Sequence, residues 1–283
     1  MAYINPDLDR PGINVPKLLA MKQTGEKIAM MTAYDYSFGQ IMDAAGIDIV
    51  LVGDSLGMVV QGHSTTLPVT LSDIAYHTQT VARGVKKALI LADLPLLSYA
   101  TLERALVASE TVLRAGAQMV KLEGAGPMID VIAGLSARDV SVCAHLGLTP
   151  QSLHKLGGFK VQGRDQKARA RMLADAKSVQ DAGADLLVLE CVPSDVAAEI
   201  TSALTIPTIG IGAGGQCDGQ VLVVFDALGI GFGRRPRFVR NFLEDLVGKE
   251  AGGASGAISV LAGVQSYVKA VKTKTFPGPE HVY

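Results

Sequence analysis

The chain has 283 residues, of which 48% are hydrophobic and 19% are charged, and its formal net charge is -1. This composition supports a large apolar core and lacks the charge excess of disordered chains. The near-neutral balance gives no reason to expect nucleic acid or a membrane surface as a partner. The length suits one (β/α)₈ barrel domain, which typically has ~250 residues.

Cysteine usage and the distribution of apolar residues indicate the cytoplasm. Cys143, Cys191 and Cys217 are widely spaced and form no C-x-x-C pair, so neither a disulfide framework nor a structural zinc site is expected. The first ten residues lack a basic start followed by an apolar run, so we do not expect a signal peptide. No apolar stretch approaches the ~18 residues of a membrane span.

In chain order, eight short apolar segments are predicted as strands. Three of them follow an Ala-Gly pair, whose glycine suits the left-handed conformation at the end of a helix. Where an Ala-Gly pair occurs, the segment includes it. The segments are Ile28–Ala33, Ala45–Asp54, Lys87–Asp93, Ala115–Glu123, Val140–His145, Ala182–Glu190, Pro207–Gly212 and Leu228–Phe232. Such continuous apolar strands are typical of a parallel sheet that is buried on both faces.

Helical patterns fill the intervals, as in Leu102–Ala115 and Ala168–Ala182. Eight strands that alternate with helices favour an α/β fold of the closed (β/α)₈ TIM-barrel type over an open doubly wound sheet. We predict one domain over residues 1–283, with the barrel at about 26–245. An N-terminal helix over Val15–Gln23, ending at Gly25, is expected to close the barrel bottom.

A C-terminal helical extension is predicted at about residues 255–275, after a flexible break at 251–256. Its apolar residues fall at helical spacing and form one stripe. The stripe consists of Val260, Leu261, Val264, Tyr267, Val268 and Val271. It could pack on its own barrel or on another subunit. The tail from residue 275 to residue 283 shows no interpretable pattern.

Four acidic strand ends are the clearest chemical signal. Asp54, Asp93, Glu123 and Glu190 end four different predicted strands, and (β/α)₈ enzymes carry their active sites at the carboxyl ends of the strands. Each acid alone could also start a loop or cap a helix. Four carboxylates in one cleft repel each other, so we expect a cation among them. All-oxygen ligands favour Mg²⁺ over zinc or copper.

A magnesium ion in this cleft predicts a class of substrate. Mg²⁺ keeps positions open for water or for a chelating substrate, and a small 2-oxo acid can chelate it through its keto and carboxylate oxygens. As a Lewis acid, the metal makes the adjacent C–H more acidic and stabilises the enolate oxygen. From the residues alone, Glu190 could be either a metal ligand or a base.

Two further strand residues have several interpretations. Lys121 lies two residues before Glu123, so both side chains point into the barrel. A buried lysine needs an anion, and its position favours a substrate over a neighbouring carboxylate; a Schiff-base role is also open. His145 could be a metal ligand, a general acid or a core histidine. Cys143 and Cys191 are interpreted as small buried residues.

Two glycine-rich stretches lie between predicted elements. Gly210–Gly219 lacks the spacing of a dinucleotide fingerprint and is predicted to form a tight turn that lines the pocket. Gly157–Arg164 is typical of a mobile loop. The basic residues between 160 and 171 form either a solvated helix face or an anion-binding rim.

Seven stretches, in order along the chain, resemble one enzyme family. They are Met31–Asp35, Val52–Met58, Ala92–Pro95, Val120–Gly124, His145–Gln151, Leu189–Pro193 and Ile209–Gly214. On these residues the chain resembles the ketopantoate hydroxymethyltransferases, also called 3-methyl-2-oxobutanoate hydroxymethyltransferases. The resemblance implies a barrel of the phosphoenolpyruvate mutase/isocitrate lyase type and assembly as a homodecamer.

The resemblance also implies a reaction and its cofactors. A hydroxymethyl group passes from 5,10-methylenetetrahydrofolate to 3-methyl-2-oxobutanoate through a Mg²⁺-stabilised enolate, giving 2-dehydropantoate for pantothenate and coenzyme A biosynthesis. The implied metal positions are Asp54, Asp93 and Glu123. The implied oxo-acid contacts are Asp54, Ser55, Asp93 and Lys121. Glu190 matches the proton acceptor, and His145 is a possible accessory residue.

The sequence departs from the family pattern in three places. Ala144 stands where glycine is expected, Phe225 stands where histidine is usual, and Gly231–Arg237 is unusually basic. Two other functions remain open. A related lyase or mutase acting on another 2-oxo acid would be expected to carry a reactive loop cysteine. A barrel without activity, serving as a binding module, is disfavoured by the four acids and Lys121.

Overall fold

The computed structural model describes residues 10–231, 235–246 and 259–283. Eight parallel strands form a closed barrel in sequence order, and the last pairs with the first. They are β1 (Ile28–Thr32), β2 (Ile49–Val52), β3 (Leu89–Asp93), β4 (Met119–Glu123), β5 (Val142–Gly147), β6 (Leu186–Glu190), β7 (Thr208–Ile211) and β8 (Gly219–Leu222). The predicted closed barrel is confirmed. Its treatment as one domain over the whole chain stays a prediction.

Helices cover the outside of the barrel. They are α1 (Val15–Thr24), α2 (Tyr36–Ala45), α3 (Leu56–Val59), α4 (Leu71–Gly84), α5 (Leu102–Arg114), α6 (Met128–Ser136), α7 (Leu153–Leu156), α8 (Gln166–Asp181), α9 (Ser194–Ala203), α10 (Val224–Ala227) and α11 (Val260–Lys272). The predicted left-handed glycines are confirmed, since Gly46, Gly116 and Gly183 have φ angles of 87°, 113° and 97°. Among the described residues, no helix is both long and apolar enough to cross a bilayer.

Alternation along the strands separates two apolar layers. Inward residues such as Leu91, Met119, Cys143 and Val188 form one buried cluster inside the barrel, and outward residues pack under the helices. Leu18 and Met21 of α1 join the inner cluster, so the N-terminal helix closes the barrel bottom as predicted. Because side chains alternate with a period of two, the next inward positions along these strands fall at the opposite, carboxyl-terminal mouth.

The predicted eighth strand is wrong. Leu228 follows α10, and Gly229 has a φ of 65°, while β8 is the earlier Gly219–Leu222. Residues 212–218 alone connect β7 to β8. This connection is far shorter than the dozen or more residues usual between parallel strands, so the expected alternation of strands and helices did not predict a strand at Gly219–Leu222. Gly219 is required because a Cβ atom there would lie 2.4 Å from the carbonyl oxygen of Ile28 on the neighbouring strand.

The C-terminal helix α11 packs on its own barrel. The Tyr267 hydroxyl lies 2.9 Å from the carbonyl oxygen of Met30 and 2.8 Å from that of Gln220, so the helix covers the seam between β1 and β8. Val264, Tyr267 and Val271 are buried there. Of the two interpretations left open for the apolar stripe, packing within the subunit is therefore the one observed. The predicted break at 251–256 lies outside the described residues.

Candidate active site

One cavity of about 1030 Å³ occupies the carboxyl-terminal mouth of the barrel. It is lined by every residue predicted for the site: Asp54, Ser55, Asp93, Lys121, Glu123, His145 and Glu190. Four of these are the next inward positions of their strands after the core, two residues beyond Leu91, Met119, Cys143 and Val188. The barrel therefore brings together side chains that are far apart in sequence.

Asp93 and Lys121 form the central ion pair of the cavity floor. The Lys121 Nζ donates to Asp93 Oδ1 at 2.6 Å, and both side chains are buried. Burial alone would lower the pKa of Lys121, but attraction by Asp93, Glu123 and Asp54 outweighs it and raises the pKa. A lysine nucleophile needs a lowered pKa, so this environment does not favour a Schiff-base role.

Asp54 is a floor carboxyl group whose ionisation is opposed by its surroundings. Its backbone N–H donates to Asp93 Oδ2 at 2.9 Å, so the two acids are held side by side. Burial first, and then repulsion by Asp93 and Glu123, raise the pKa of Asp54 well above its ordinary value. Three buried carboxylates around one lysine therefore favour an additional cation or proton.

His145 lies between two acids. Its Nδ1 is 3.4 Å from Glu123 Oε1, and its Nε2 is 3.3 Å from Glu190 Oε2. Burial opposes protonation, but the two carboxylates outweigh it and raise the pKa of His145 to about 9. Both distances exceed those of charge-assisted hydrogen bonds, so the contacts are ion pairs. Both ring nitrogens of His145 face carboxylates. The interpretation of His145 as a core histidine bonded to a backbone carbonyl is therefore wrong.

The donor set on the floor suits a hard cation that brings its own water and substrate ligands. In the described part of the chain, no three histidine, cysteine or acidic side chains are grouped closely enough to hold a metal ion by themselves. Glu123 Oε1 is nevertheless buried without a hydrogen-bond partner among these residues. Magnesium is commonly held by one or two carboxylates together with water and substrate oxygens, so the residues present fit this ion.

Glu190 differs from the floor acids in its access to the cavity. Its side chain is 17% exposed, whereas that of Asp93 is 3% exposed. Gly147 makes this strand end possible: its φ is 95°, and a Cβ atom there would lie 2.2 Å from the Glu190 carbonyl oxygen. The neighbouring Cys191 adopts a φ of 48°, which turns the chain directly after Glu190.

The outer part of the cavity is basic and aromatic. Its lining includes Lys160, Arg164, Arg235, Arg237, Phe159, Phe238 and Tyr283. Other basic residues from the same predicted region lie on α8, where Arg169 pairs with Asp195 and Glu199. The two interpretations of this region thus apply to different halves: residues before α8 line the cavity, and residues of α8 form a solvated face.

Sequence reasoning missed several residues of the site. Tyr34 holds Ser55 through a 2.8 Å contact between their hydroxyl oxygens, and Gln151 bonds to both Asp54 and Glu123. Both lie in stretches that carry the family resemblance, and this was the available signal. Tyr283 gave no signal in the sequence. It lines the cavity, and its carbonyl accepts from the backbone N–H of Ser194 at 3.2 Å.

The departure at Phe225 has a local structural explanation. Its ring stacks on Tyr34, with centroids 5.9 Å apart and planes at 2°, and meets Phe38 edge to face. Aromatic pairs of this kind add stabilisation beyond the area they bury. Phe225 therefore supports Tyr34, and through it Ser55, from outside the cavity.

Comparison with solved structures identifies the fold type. A phosphonopyruvate hydrolase, solved with oxalate and Mg²⁺, aligns with a TM-score of 0.59 at 14% identity, covering 77% of this chain and 83% of its own. A 2,3-dimethylmalate lyase, a member of the PEP mutase/isocitrate lyase superfamily, aligns with a TM-score of 0.57 at 16% identity, covering 78% and 81%. These likenesses confirm the predicted (β/α)₈ fold.

Comparison with sequences identifies the family. The family model described as ketopantoate hydroxymethyltransferase matches residues 12–279. A 3-methyl-2-oxobutanoate hydroxymethyltransferase of Burkholderia vietnamiensis is 56% identical over 283 residues, covering 100% of both chains. One from Burkholderia ambifaria is 53% identical over the same length and coverage. The chain with this acidic barrel mouth belongs to the ketopantoate hydroxymethyltransferase family.

Proposed function

We propose that this chain transfers a hydroxymethyl group from 5,10-methylenetetrahydrofolate to 3-methyl-2-oxobutanoate, giving 2-dehydropantoate. Family membership supports the type of reaction. The observation that carries the proposal is the buried group of three carboxylates around one lysine, with a more accessible fourth carboxylate facing the same cavity. Such a site can bind an oxo acid at its floor and remove a proton beside it.

Asp54, Asp93 and Glu123 are the residues that would hold Mg²⁺, either directly or through a water molecule, because Mg²⁺ usually keeps several of its waters. When bound, the ion acts as a Lewis acid toward the keto oxygen and makes the adjacent C–H more acidic. Ser55 and Lys121 contact the oxo acid, because the Ser55 hydroxyl and the Lys121 ammonium face the same cavity as the three acids. The ammonium offers positive charge to the substrate carboxylate while it remains paired with Asp93.

Glu190 is the proposed base for the C3 proton of the oxo acid. A base must be accessible to its substrate and ionised before the transfer. The partial exposure of Glu190 gives the substrate access to this carboxylate, and His145 lies beside it with Nε2 3.3 Å from Glu190 Oε2. The resulting carbanion forms a C–C bond to the methylene carbon of the donor, and the two bonds from that carbon to the folate nitrogens break. Water supplies the hydroxyl oxygen of the product. The proton taken from C3 and the proton released by water go to the two nitrogens, so that tetrahydrofolate leaves.

The outer part of the cavity is the proposed place for the folate donor. Phe238 and Tyr283 offer aromatic surface for its ring system, and Lys160 and Arg164 offer positive charge for its carboxylates. In the described residues, neither cation forms an ion pair within the chain. The donor would thus lie above the oxo acid, with its one-carbon unit directed at the cavity floor.

The reaction itself is the direct test. The purified chain, both substrates and Mg²⁺ should give 2-dehydropantoate, identified by mass spectrometry. Omission of the metal, or an Asp93→Ala substitution, should remove the product. Failure to form product over a range of Mg²⁺ and folate concentrations, with the chain shown to be folded, would overturn the proposal.

Assembly and location are separate proposals. We propose a homodecamer in the cytoplasm, on the basis of family membership. Light scattering should then give a particle about ten times the 29.6 kDa mass of the chain. Because α11 packs on its own barrel, substitutions of its buried stripe should unfold the subunit rather than separate subunits.

A further inference from the structure

We propose that Gln151 is a positioning residue, which holds one oxygen of Asp54 and one oxygen of Glu123 so that the other oxygen of each acid is free for the cation. The inference rests on the proposed function, since it concerns the residues that would hold Mg²⁺. Gln151 itself would not contact the ion or the substrate.

Two hydrogen bonds carry the inference. The Gln151 side-chain Nε2 donates to Asp54 Oδ2 at 2.9 Å, and its backbone N–H donates to Glu123 Oε2 at 3.0 Å. The opposite oxygen of Glu123, Oε1, is buried and accepts no hydrogen bond among the described residues, and His145 Nδ1 lies 3.4 Å from it. One residue on the loop after β5 thus ties together acids that follow β2 and end β4.

The direction of the Gln151 amide is determined by its neighbours. The Tyr99 hydroxyl donates to Gln151 Oε1 at 2.6 Å, and Nε2 also lies 3.0 Å from the carbonyl oxygen of Leu94. A reversed amide would place its oxygen against two acceptors, so this orientation alone satisfies the network. The Tyr99 hydroxyl also accepts from the backbone N–H of Glu123 at 3.3 Å, which closes the chain of contacts.

This arrangement solves a problem created by burial. Asp54 and Glu123 repel each other in a space with little water, and they would turn away from each other without fixed donors. The side-chain amide of Gln151 holds Asp54 and its backbone N–H holds Glu123. Both donors are neutral, so they add no charge that would compete with the ion. Partners of this kind, behind metal ligands, typically contribute 10- to 100-fold to metal affinity.

The test compares Mg²⁺ binding by calorimetry, in the absence of folate, for the wild-type chain and three variants. Gln151→Met removes the side-chain hydrogen bond to Asp54 at similar side-chain length, keeps the backbone N–H that bonds to Glu123, and should weaken Mg²⁺ binding by roughly 10- to 100-fold. Tyr99→Phe leaves the amide in place but frees it to turn, and should weaken binding by about tenfold. Gln220→Met is the matched control, because Gln220 is equally buried but its amide donates to the Gly214 carbonyl instead.

A purely structural role for Gln151 would give a different pattern. It would lower the unfolding temperature of Gln151→Met and Gln220→Met alike and leave the Mg²⁺ affinity of the folded chain unchanged. If the wild type binds Mg²⁺ and both Gln151→Met and Tyr99→Phe bind it within twofold of the wild type, the inference is wrong while the proposed function stands. If the wild type binds no Mg²⁺, the proposed metal site is wrong, and the inference about Gln151 is wrong with it. If Gln151→Met does not fold, Tyr99→Phe decides the question alone.

Discussion

The floor and the mouth of the cavity are built in different ways. Floor residues such as Asp93, Lys121 and Glu123 are inward positions near the carboxyl ends of barrel strands and are buried, and Lys121 and Asp93 are joined at 2.6 Å. Mouth residues such as Lys160 and Arg164 lie on exposed loops. The comparison indicates that the floor is rigid and electrostatically coupled, whereas the mouth is adaptable and screened by solvent. Substitutions should therefore have large effects on the floor and small effects at the mouth.

The largest effect is expected for Glu190→Gln, which keeps the shape of the side chain but removes its basicity. Exchange of the C3 hydrogen of 3-methyl-2-oxobutanoate into D₂O, followed by NMR with Mg²⁺ and without folate, should slow by about 10²- to 10⁴-fold. Oxo-acid affinity should change little. Glu199→Gln on the exposed face of α9, where Glu199 pairs with Arg169, is the matched control. An unchanged exchange rate in Glu190→Gln would exclude Glu190 as the base.

Asp93→Ala should lower the stability of the cavity floor and weaken both of its proposed ligand contacts, to Mg²⁺ and to the oxo acid. It leaves Lys121 buried without its 2.6 Å partner, and loss of one member of a buried pair costs about 3–5 kcal/mol in the free energy of unfolding. Calorimetry should show Mg²⁺ and oxo-acid binding weakened together, because the substrate is held through the same group. Normal oxo-acid affinity in metal-free Asp93→Ala would contradict the chelate model.

At the mouth, Lys160→Ala and Arg164→Ala should raise the KM for the folate donor by about two- to fivefold each, the size expected for exposed charge pairs. The KM for the oxo acid should stay constant, and the effect should shrink at high salt. Lys167→Ala and Arg171→Ala on α8 serve as controls, since neither residue lines the cavity. Equal effects from all four substitutions would show that the mouth contributes only general positive charge.

The smallest effect is expected for Cys191→Ala, although this residue follows Glu190 directly. Burial and the charge of Glu190 raise the pKa of the Cys191 thiol to about 12, so it stays protonated near neutral pH and is a poor nucleophile. Turnover should remain within about twofold of the wild type, and thiol alkylation should not inactivate the enzyme. Loss of turnover in Cys191→Ala would instead favour the lyase or mutase function, which would depend on a reactive cysteine.

Strand alternation explains why so much of the floor could be predicted. Once Asp93, Lys121, Glu123, His145 and Glu190 are assigned to the ends of parallel strands, a period of two and a common strand direction bring them to one mouth. The same reasoning failed at β8, because its short connection from β7 departs from the usual crossover length. Strand alternation could not predict the role of Gln151, since this glutamine follows a strand and lies outside its period of two.

By itself, the sequence determined the closed barrel, the acidic floor and the family, because these depend on local periodicity and on residue types at strand ends. Only the tertiary structure decided which partners the floor residues have. It placed Lys121 on Asp93, His145 between two acids, and the amide of Gln151 on Asp54. It also carried Tyr283 to the mouth and α11 onto the seam of its own barrel. Such contacts join residues that are distant in the chain. Their distances and partners depend on how the side chains pack against one another in the folded barrel, which no local pattern encodes.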